Sequence, residues 1–525
     1  MRPRWLLALA ALLLAGPALA DSSRALVIAT RAEPNSIDPQ YSAVGTNQAV
    51  AMHLFDTLFA RDADLRLVPA LALGAERLDP LTWRLRLRPG VRFHDGSGFD
   101  ADDVVFSLAR AARVPFSPAS FAGRVARIAS ARAVDPLTVE IVTREPAPQL
   151  ITDIATIFML PAGLGEDVPT SAFNDGRAAI GTGPFRFRRW EHGDRLELER
   201  NDDYWGRPAD FARVTLRFIV SDAARVAALL AGSVDVIDAV PPADLERLRR
   251  DPAIRRWQAP TVTFIYLGLD VARDENPSVR LPRGAPPGNP FRDRRVREAL
   301  SLALDRPLLV EKILAGSGVP ANQMMPAGTV GYAPDIPAPA YDPARARQLL
   351  AAAGYPDGFT VTLAAPNNRY LNDALVAQAL GSMLARSGLG VRIDTMPKNV
   401  FLPRATQREF GLFLYGFGSV TGESLIGMRS VLGSVDRSRG SGTLNRGGYS
   451  NPALDAALAR AAAAEDEPAL EAGLQEAARI AAADVPLVPL YHQVATWATR
   501  GDLAFTPRRD ERTLAADVRI GGAAP

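Results

Sequence analysis

The chain has 525 residues, 60 basic and 58 acidic side chains, a formal net charge of +2 and no cysteine. Such a length exceeds what a single hydrophobic core supports and implies two or three domains. Arg2 and Arg4 account for the excess charge, so the rest of the chain is neutral and carries no nucleic-acid footprint. The lack of cysteine excludes disulfides, thiolate metal sites, a cysteine nucleophile and a lipid-modified cysteine anchor.

The first twenty residues have the three parts of a signal peptide: Arg2 and Arg4, an apolar run from Trp5 to Ala15, and small residues at Ala18 and Ala20. The apolar run is too short to span a bilayer, and no later stretch is long and apolar enough. A mature chain starting at Asp21 is therefore expected to be soluble and exported. Without a cysteine anchor it would have to be retained by an outer membrane, which places it in a Gram-negative periplasm.

Further along, residues 25–29 read as a strand and residues 46–59 as a helix-like run. Trp83, Leu85 and Leu87 alternate with Arg84, Arg86 and Arg88, the period of a half-buried strand. Asp100 stands where a helix cap belongs, Asp102 and Asp103 suit the positive end of the helix dipole, and Val104, Val105 and Leu108 form the apolar stripe. Residues 185–190 and 195–200 predict a hairpin turning at His192, Gly193 and Asp194, and residues 281–290 a proline-rich surface loop. Asp342 followed by Pro343 starts a helix that Gly354 stops, and Asn451 with Pro452 opens a long alanine-rich helical region reaching Asp484. Strands at 360–363 and 391–394 alternate with these helices, which argues for βαβ units and an α/β fold with more than one lobe.

Enzymatic signatures are missing. Lys312 precedes Ile313 and Lys398 precedes Asn399, so neither lysine closes a phosphate-binding loop. The four histidines are scattered outside any H-E-x-x-H pattern, and no G-x-S-x-G nucleophile elbow occurs. His94 with Asp95 reads as a turn-stabilising polar pair, the 201–205 segment Asn-Asp-Asp-Tyr-Trp as a structural turn with buried aromatics, and the arginines of 291–297 as a solvated face or inter-element pairs. No catalysis, metal or cofactor is expected.

The stretch 68–110, together with Asn35-Ser36-Ile37-Asp38-Pro39, Gly181-Thr182-Gly183-Pro184-Phe185, residues 201–205, residues 291–300, Tyr341-Asp342-Pro343 and Tyr449-Ser450-Asn451-Pro452, resembles the family 5 extracellular solute-binding proteins of ABC importers. The resemblance covers nearly all of the mature chain. It implies an α/β, two-lobed periplasmic binding protein of the class II, Venus-flytrap type, with an additional domain inserted in the first lobe. The implied organisation is a signal peptide at 1–20, a first lobe built from 21–53, 181–262 and 490–525, an inserted domain at 54–180, and a second lobe at 263–489. A monomer is expected that captures a peptide or peptide-like solute between its lobes and delivers it to an inner-membrane ABC permease. A non-peptide solute (an opine, a sugar or a metal chelate) remains open, as does, in another class, a periplasmic α/β hydrolase or chaperone-like protein.

The same resemblance directs attention to Asn368, Arg369 and Tyr370, and to Tyr415, Gly416, Phe417, Gly418, Ser419, Val420 and Glu423. Peptide-binding relatives carry tryptophan and aspartate in the second of these segments, the aspartate pairing with the peptide ammonium; here Phe417 and Val420 stand there. A desolvated ammonium facing valine loses a charge-assisted hydrogen bond of about 1.5–3 kcal/mol. Either Glu423 substitutes, or the solute lacks a free amino terminus. Further candidates are the loop Ser42, Ala43, Val44, Gly45, Thr46 and Asn47, whose backbone could pair with an extended ligand. Asp238, Thr263, Phe264 and Tyr266 fall near strand ends at the crossover. Asn445 and Arg446 sit on a glycine-rich loop and hydrogen-bond either solute or the loop itself.

Overall fold

A computed structural model describes residues 24–418, 424–436, 441–464 and 466–521; the expected signal segment lies outside them. A 12-stranded mixed sheet runs through both lobes. At one end, Ala25–Thr30 pairs in parallel with Arg213–Phe218 and with Val236–Ile237. The predicted hairpin, Phe185–Glu191 with Arg195–Arg200, extends that end antiparallel. At the other end, Thr360–Pro366 and Gly390–Met396 pair in parallel, and Leu412–Gly418 lies beside the first of them. The helix Asp373–Arg386 connects the parallel pair, giving the expected βαβ unit.

Two long antiparallel strands, Ile254–Leu269 and Leu487–Arg500, join the ends. Their burial shows why one strand can serve two lobes. Between Ile254 and Pro260, Trp257 and Ala259 are buried while Arg256, Gln258 and Pro260 are exposed, the alternation of a sheet with one wet face. From Phe264 to Leu269 every residue is buried. Ile265, Leu267 and Leu269 pack into one core of the second lobe, and Phe264 and Tyr266 into another on the opposite face, as a period of two requires. The register between the strands breaks between Pro260 and Phe264. There the Thr261 hydroxyl accepts from the Thr263 N–H (3.1 Å), and the Val262 N–H donates to the Arg509 carbonyl (3.3 Å). The chain crosses between lobes at this irregularity.

A separate core gathers residues from Leu58 to Met159 around a four-stranded antiparallel sheet and the helix Ala101–Ala111. Asp100 caps that helix in a reciprocal box with Asp103, whose carboxylate also accepts from the Ala162 N–H (2.8 Å). Val104 and Leu108 are buried as expected, whereas Val105 is only half-buried. Residues 160–179 contribute Leu160, Ala172 and Phe173 to the first lobe's core instead.

One expectation needs correcting. The run 46–59 is not one helix: the helix is Gly45–Leu54, after which Phe55 is extended and Phe59–Arg61 forms a strand. The apolar pattern is continuous because Leu54 and Phe55 pack into the first lobe while Leu58 and Phe59 pack into the next domain. The alanine-rich helical region opens at Asn451 and ends at Asp484 as expected, as two packed helices, Pro452–Ala462 and Glu467–Asp484, the second capped by Asp466.

The junction between first lobe and inserted domain is polar and buried. His94 donates from Nε2 to the Gly183 carbonyl (3.0 Å) and accepts at Nδ1 from the Gly181 N–H (3.2 Å), so the ring is neutral; burial holds its pKa down at about 4. Asp56 accepts from Thr182 Oγ1 (2.9 Å), Trp205 Nε1 (2.8 Å) and Tyr204 Oη (3.3 Å). The 201–205 segment is thus structural. Arg297 is buried and donates to the carboxylate and carbonyl of Asp484 (both 2.6 Å), an inter-element pair.

Candidate functional site

A cavity of about 650 Å³ lies where first lobe, crossover and second lobe meet. The first-lobe strand Ala25–Thr30 ends there, delivering Arg31, and the helix Gly45–Leu54 begins there, delivering Val44, Gly45 and Thr46. Asp238 follows the short strand Val236–Ile237, and Gln493 to Thr496 come from the crossing strand. Asp510, Glu511 and Arg512 come from the loop near the C-terminus, and Asn368, Arg369 and Tyr370 follow the second-lobe strand Thr360–Pro366. Strand C-terminal ends facing a crevice are the usual place for a ligand in an α/β sheet.

The first-lobe wall is densely charged and mostly self-paired. Arg225, wholly buried, donates to Asp222 Oδ1 (2.7 Å), lies 3.5 Å from Asp238 Oδ1 and also donates to the carbonyls of Ile219, Asp238 and Ala239. Asp238 accepts from the Arg31 N–H (3.1 Å). Burial pushes its pKa up to about 6, against the opposing pull of the Arg225 and Arg31 charges. Asp510 is buried between Arg508 (3.0 Å) and Arg512 (3.5 Å); burial opposes its ionisation, but the two guanidinium charges outweigh it and hold the carboxyl low. Burial lowers the Arg512 pKa, and its Nε has no partner among the described residues. His53 donates from Nδ1 to the Ala49 carbonyl (2.8 Å) and accepts at Nε2 from the Ala515 N–H (3.0 Å). It is therefore neutral, with burial lowering its pKa to about 4.

On the second-lobe wall the Tyr370 hydroxyl donates to the Gly416 carbonyl (3.2 Å) and accepts from the Gly416 N–H (2.8 Å). Arg369 donates from Nε to the same hydroxyl (2.9 Å) and lies over the Tyr370 ring (5.3 Å). Asp373 fixes the loop by accepting from the backbone N–H groups of Arg369 (2.8 Å) and Tyr370 (3.1 Å).

Of the sequence candidates, Val44, Gly45, Thr46, Asp238, Asn368, Arg369 and Tyr370 line this cavity. Ser42, Ala43 and Asn47 sit behind it: Ser42 and Ala43 pair with Ala119, and Asn47 donates to Asn35 Oδ1 (2.7 Å) and the Ser36 carbonyl (3.0 Å). Phe264, Tyr266 and Tyr415 are buried in the second-lobe core. Gly416 supports Tyr370, Phe417 is half-buried against the same core, and Gly418 pairs with Thr263. Thr263 donates from Oγ1 to Glu511 (2.9 Å). Asn445 is committed to its own loop through Gly433 and Tyr449, and Arg446 lies over the Tyr415 ring (4.5 Å) while donating to Thr406. Ser419, Val420 and Glu423 lie outside the described residues. Sequence reasoning missed Arg31, Asp222 and the loop carrying Asp510, Glu511 and Arg512. The dense run of mixed charges at residues 508–512 was the available signal, but nothing local ties that loop to a cleft.

Fold and cleft together define a two-lobed solute-binding protein with an inserted domain. The family model for bacterial extracellular solute-binding proteins, family 5 Middle, matches residues 66–438. The glutathione-binding protein GsiB of Salmonella paratyphi A is 30% identical over 503 residues, covering 93% of this chain and 92% of the relative. Among solved structures, HbpA2 of Haemophilus parasuis superposes with a TM-score of 0.81 at 24% identity, covering 95% of this chain and all of that one. The Helicobacter pylori periplasmic binding protein DppA, in complex with the peptide STSA, gives 0.72 at 23%, covering 95% of this chain and 98% of that one. The chain belongs to the family 5 extracellular solute-binding proteins, the solute-capturing components of ABC importers.

Proposed function

We propose that the cleft captures a short, carboxylate-rich peptide or peptide-like solute of the glutathione type. The observation that carries this reading is the pairing state of the cleft cations. Arg31 and Arg369 reach the cavity from opposite lobes, and neither guanidinium is paired with a carboxylate among the described residues. A solute with two carboxylates satisfies both, and each charge-assisted contact is worth about 1.5–3 kcal/mol. Because the two arginines belong to different lobes, such a solute binds the closed arrangement more tightly than the open one. Its passage would continue to an inner-membrane ABC permease, with the mature protein acting as a periplasmic monomer. The separate cores support a first lobe, an inserted domain and a second lobe, with residues 160–179 packing on the first lobe rather than within the inserted domain.

Titration calorimetry against glutathione, its diethyl ester, neutral dipeptides, an opine and a sugar tests this. The expected result is affinity near micromolar, roughly −8 kcal/mol, for the free tripeptide and a loss of at least about tenfold on esterification. Binding of the opine or sugar with no response to any peptide would overturn the reading. Small-angle scattering should show compaction on saturation.

A further inference from the structure

The geometry points to Glu511 as the residue that selects solutes bearing a free ammonium group. This rests on the peptide reading above and adds the partner for the solute's cation. Four described carboxylates line the cavity: Asp222, Asp238, Asp510 and Glu511. Three are already engaged with arginine. Asp222 takes Arg225 at 2.7 Å, Asp238 faces Arg225 at 3.5 Å, and Asp510 lies between Arg508 and Arg512. Glu511 is exposed and has no ion pair among the described residues; its one side-chain contact is the hydroxyl of Thr263 at its Oε1 (2.9 Å). An ionised carboxylate offers about four acceptor positions, so most of this group's capacity is unspent, and it faces the cavity.

The backbone is consistent with a position maintained for use. Glu511 has φ of +63°, the left-handed region that residues with a side chain rarely occupy. Its N–H closes a turn onto the Arg508 carbonyl (3.2 Å), and the next N–H, of Arg512, donates to the Asp510 carboxylate (3.1 Å). The buried Arg508–Asp510 pair anchors that turn, and Thr263 ties the carboxylate to the strand that crosses between lobes. An ammonium received here sits beside the crossover, while the solute's carboxylates reach toward Arg31 and Arg369. Two cations and one anion are the charge complement of a tripeptide with two carboxylates and one ammonium.

The test is calorimetry with glutathione and N-acetylglutathione on the full-length mature protein, its Glu511→Gln variant and its Glu511→Asp variant. The unmodified protein should prefer the free amine by about 10- to 100-fold. Glu511→Gln should abolish that preference by weakening only the free amine, and Glu511→Asp should restore part of it. A Glu511→Gln protein that weakens both solutes equally has lost a structural contact, and one that still discriminates has its anchor elsewhere; either result overturns the assignment. The comparison in the unmodified protein needs no variant to fold: equal binding of both solutes refutes Glu511 as selector while leaving the peptide reading intact. Binding of neither solute, with an opine or sugar bound instead, overturns both.

Discussion

The two walls of the cleft are built on opposite principles. On the first-lobe side, charge is abundant and mostly neutralised: Arg225 is wholly buried beneath Asp222 and Asp238, and Arg508 beneath Asp510. On the second-lobe side there is little charge; one guanidinium, Arg369, rests on an aromatic ring and a phenolic oxygen. Buried pairs cost desolvation and become strongly unfavourable when one partner is removed, whereas an exposed charge waiting for solute contributes little to stability. The first wall should therefore behave mainly as structure and the second as recognition, with Arg31 and Glu511 the exceptions on the structural side.

The sharpest break of this contrast is Arg225→Met. It leaves the part-buried Asp238 carboxylate without its guanidinium and removes donors to four carbonyls, and should cost about 3–5 kcal/mol of folding stability, read as a large fall in the unfolding midpoint.

Acidification comes next. His53, His94 and His492 are held neutral, with pKa values lowered by burial from 6.5 to about 4. Between those values the unfolded chain binds protons that the folded rings refuse, so stability falls as pH falls, by about 3 kcal/mol per ring. Burial raises Asp238 and Asp517 from 3.8 to about 6, and these work the other way. Over that window the folded carboxyls bind protons that the unfolded ones do not, returning about 3 kcal/mol each as pH falls. Burial also raises Asp56 and Asp103, which join Asp238 and Asp517 in offsetting the histidine loss. NMR titration of the imidazoles checks the histidine half directly: the rings of His53, His94 and His492 should titrate near 4, and rings titrating near 6.5 would refute it.

Arg369→Ala sharpens the comparison from the other wall. Affinity for the anionic solute should drop by about 1.5–3 kcal/mol, while the unfolding midpoint stays within about 0.5 kcal/mol of the unmodified protein. The smallest effect belongs to Thr263→Val, which removes one hydroxyl from Glu511 and should cost less than about 1 kcal/mol of affinity, confined to solutes with a free amine.

How much of this was legible in advance follows from the range of the interactions. The capping box at Asp100 and Asp103, the hairpin after Pro184, the helix starts at Pro343 and Pro452 and the parallel pair around 360 and 391 all rest on contacts within one element or between neighbours. Such contacts leave a period or a cap in the text. Motif order carried the family and the lobed architecture. The second-lobe loop at Asn368 to Tyr370 was singled out by the family resemblance, and it lines the cleft.

What the sequence by itself determined was therefore composition, local structure and kinship: a neutral, cysteine-free α/β chain of more than one lobe, belonging to a family of solute receptors. Only the tertiary structure decided which charges remain available. Asp238, Asp510 and Glu511 look alike along the chain, but Arg225 and Arg508 engage the first two while Glu511 faces the cavity with Thr263, a residue 248 positions away, as its partner. It likewise decided that residues 46–59 divide between two cores, and that Tyr266 and Tyr415 serve packing rather than the cavity. Whether a charge is spent or free depends on which groups fold against it, and hydrogen bonds and ion pairs across hundreds of residues leave no period in the sequence.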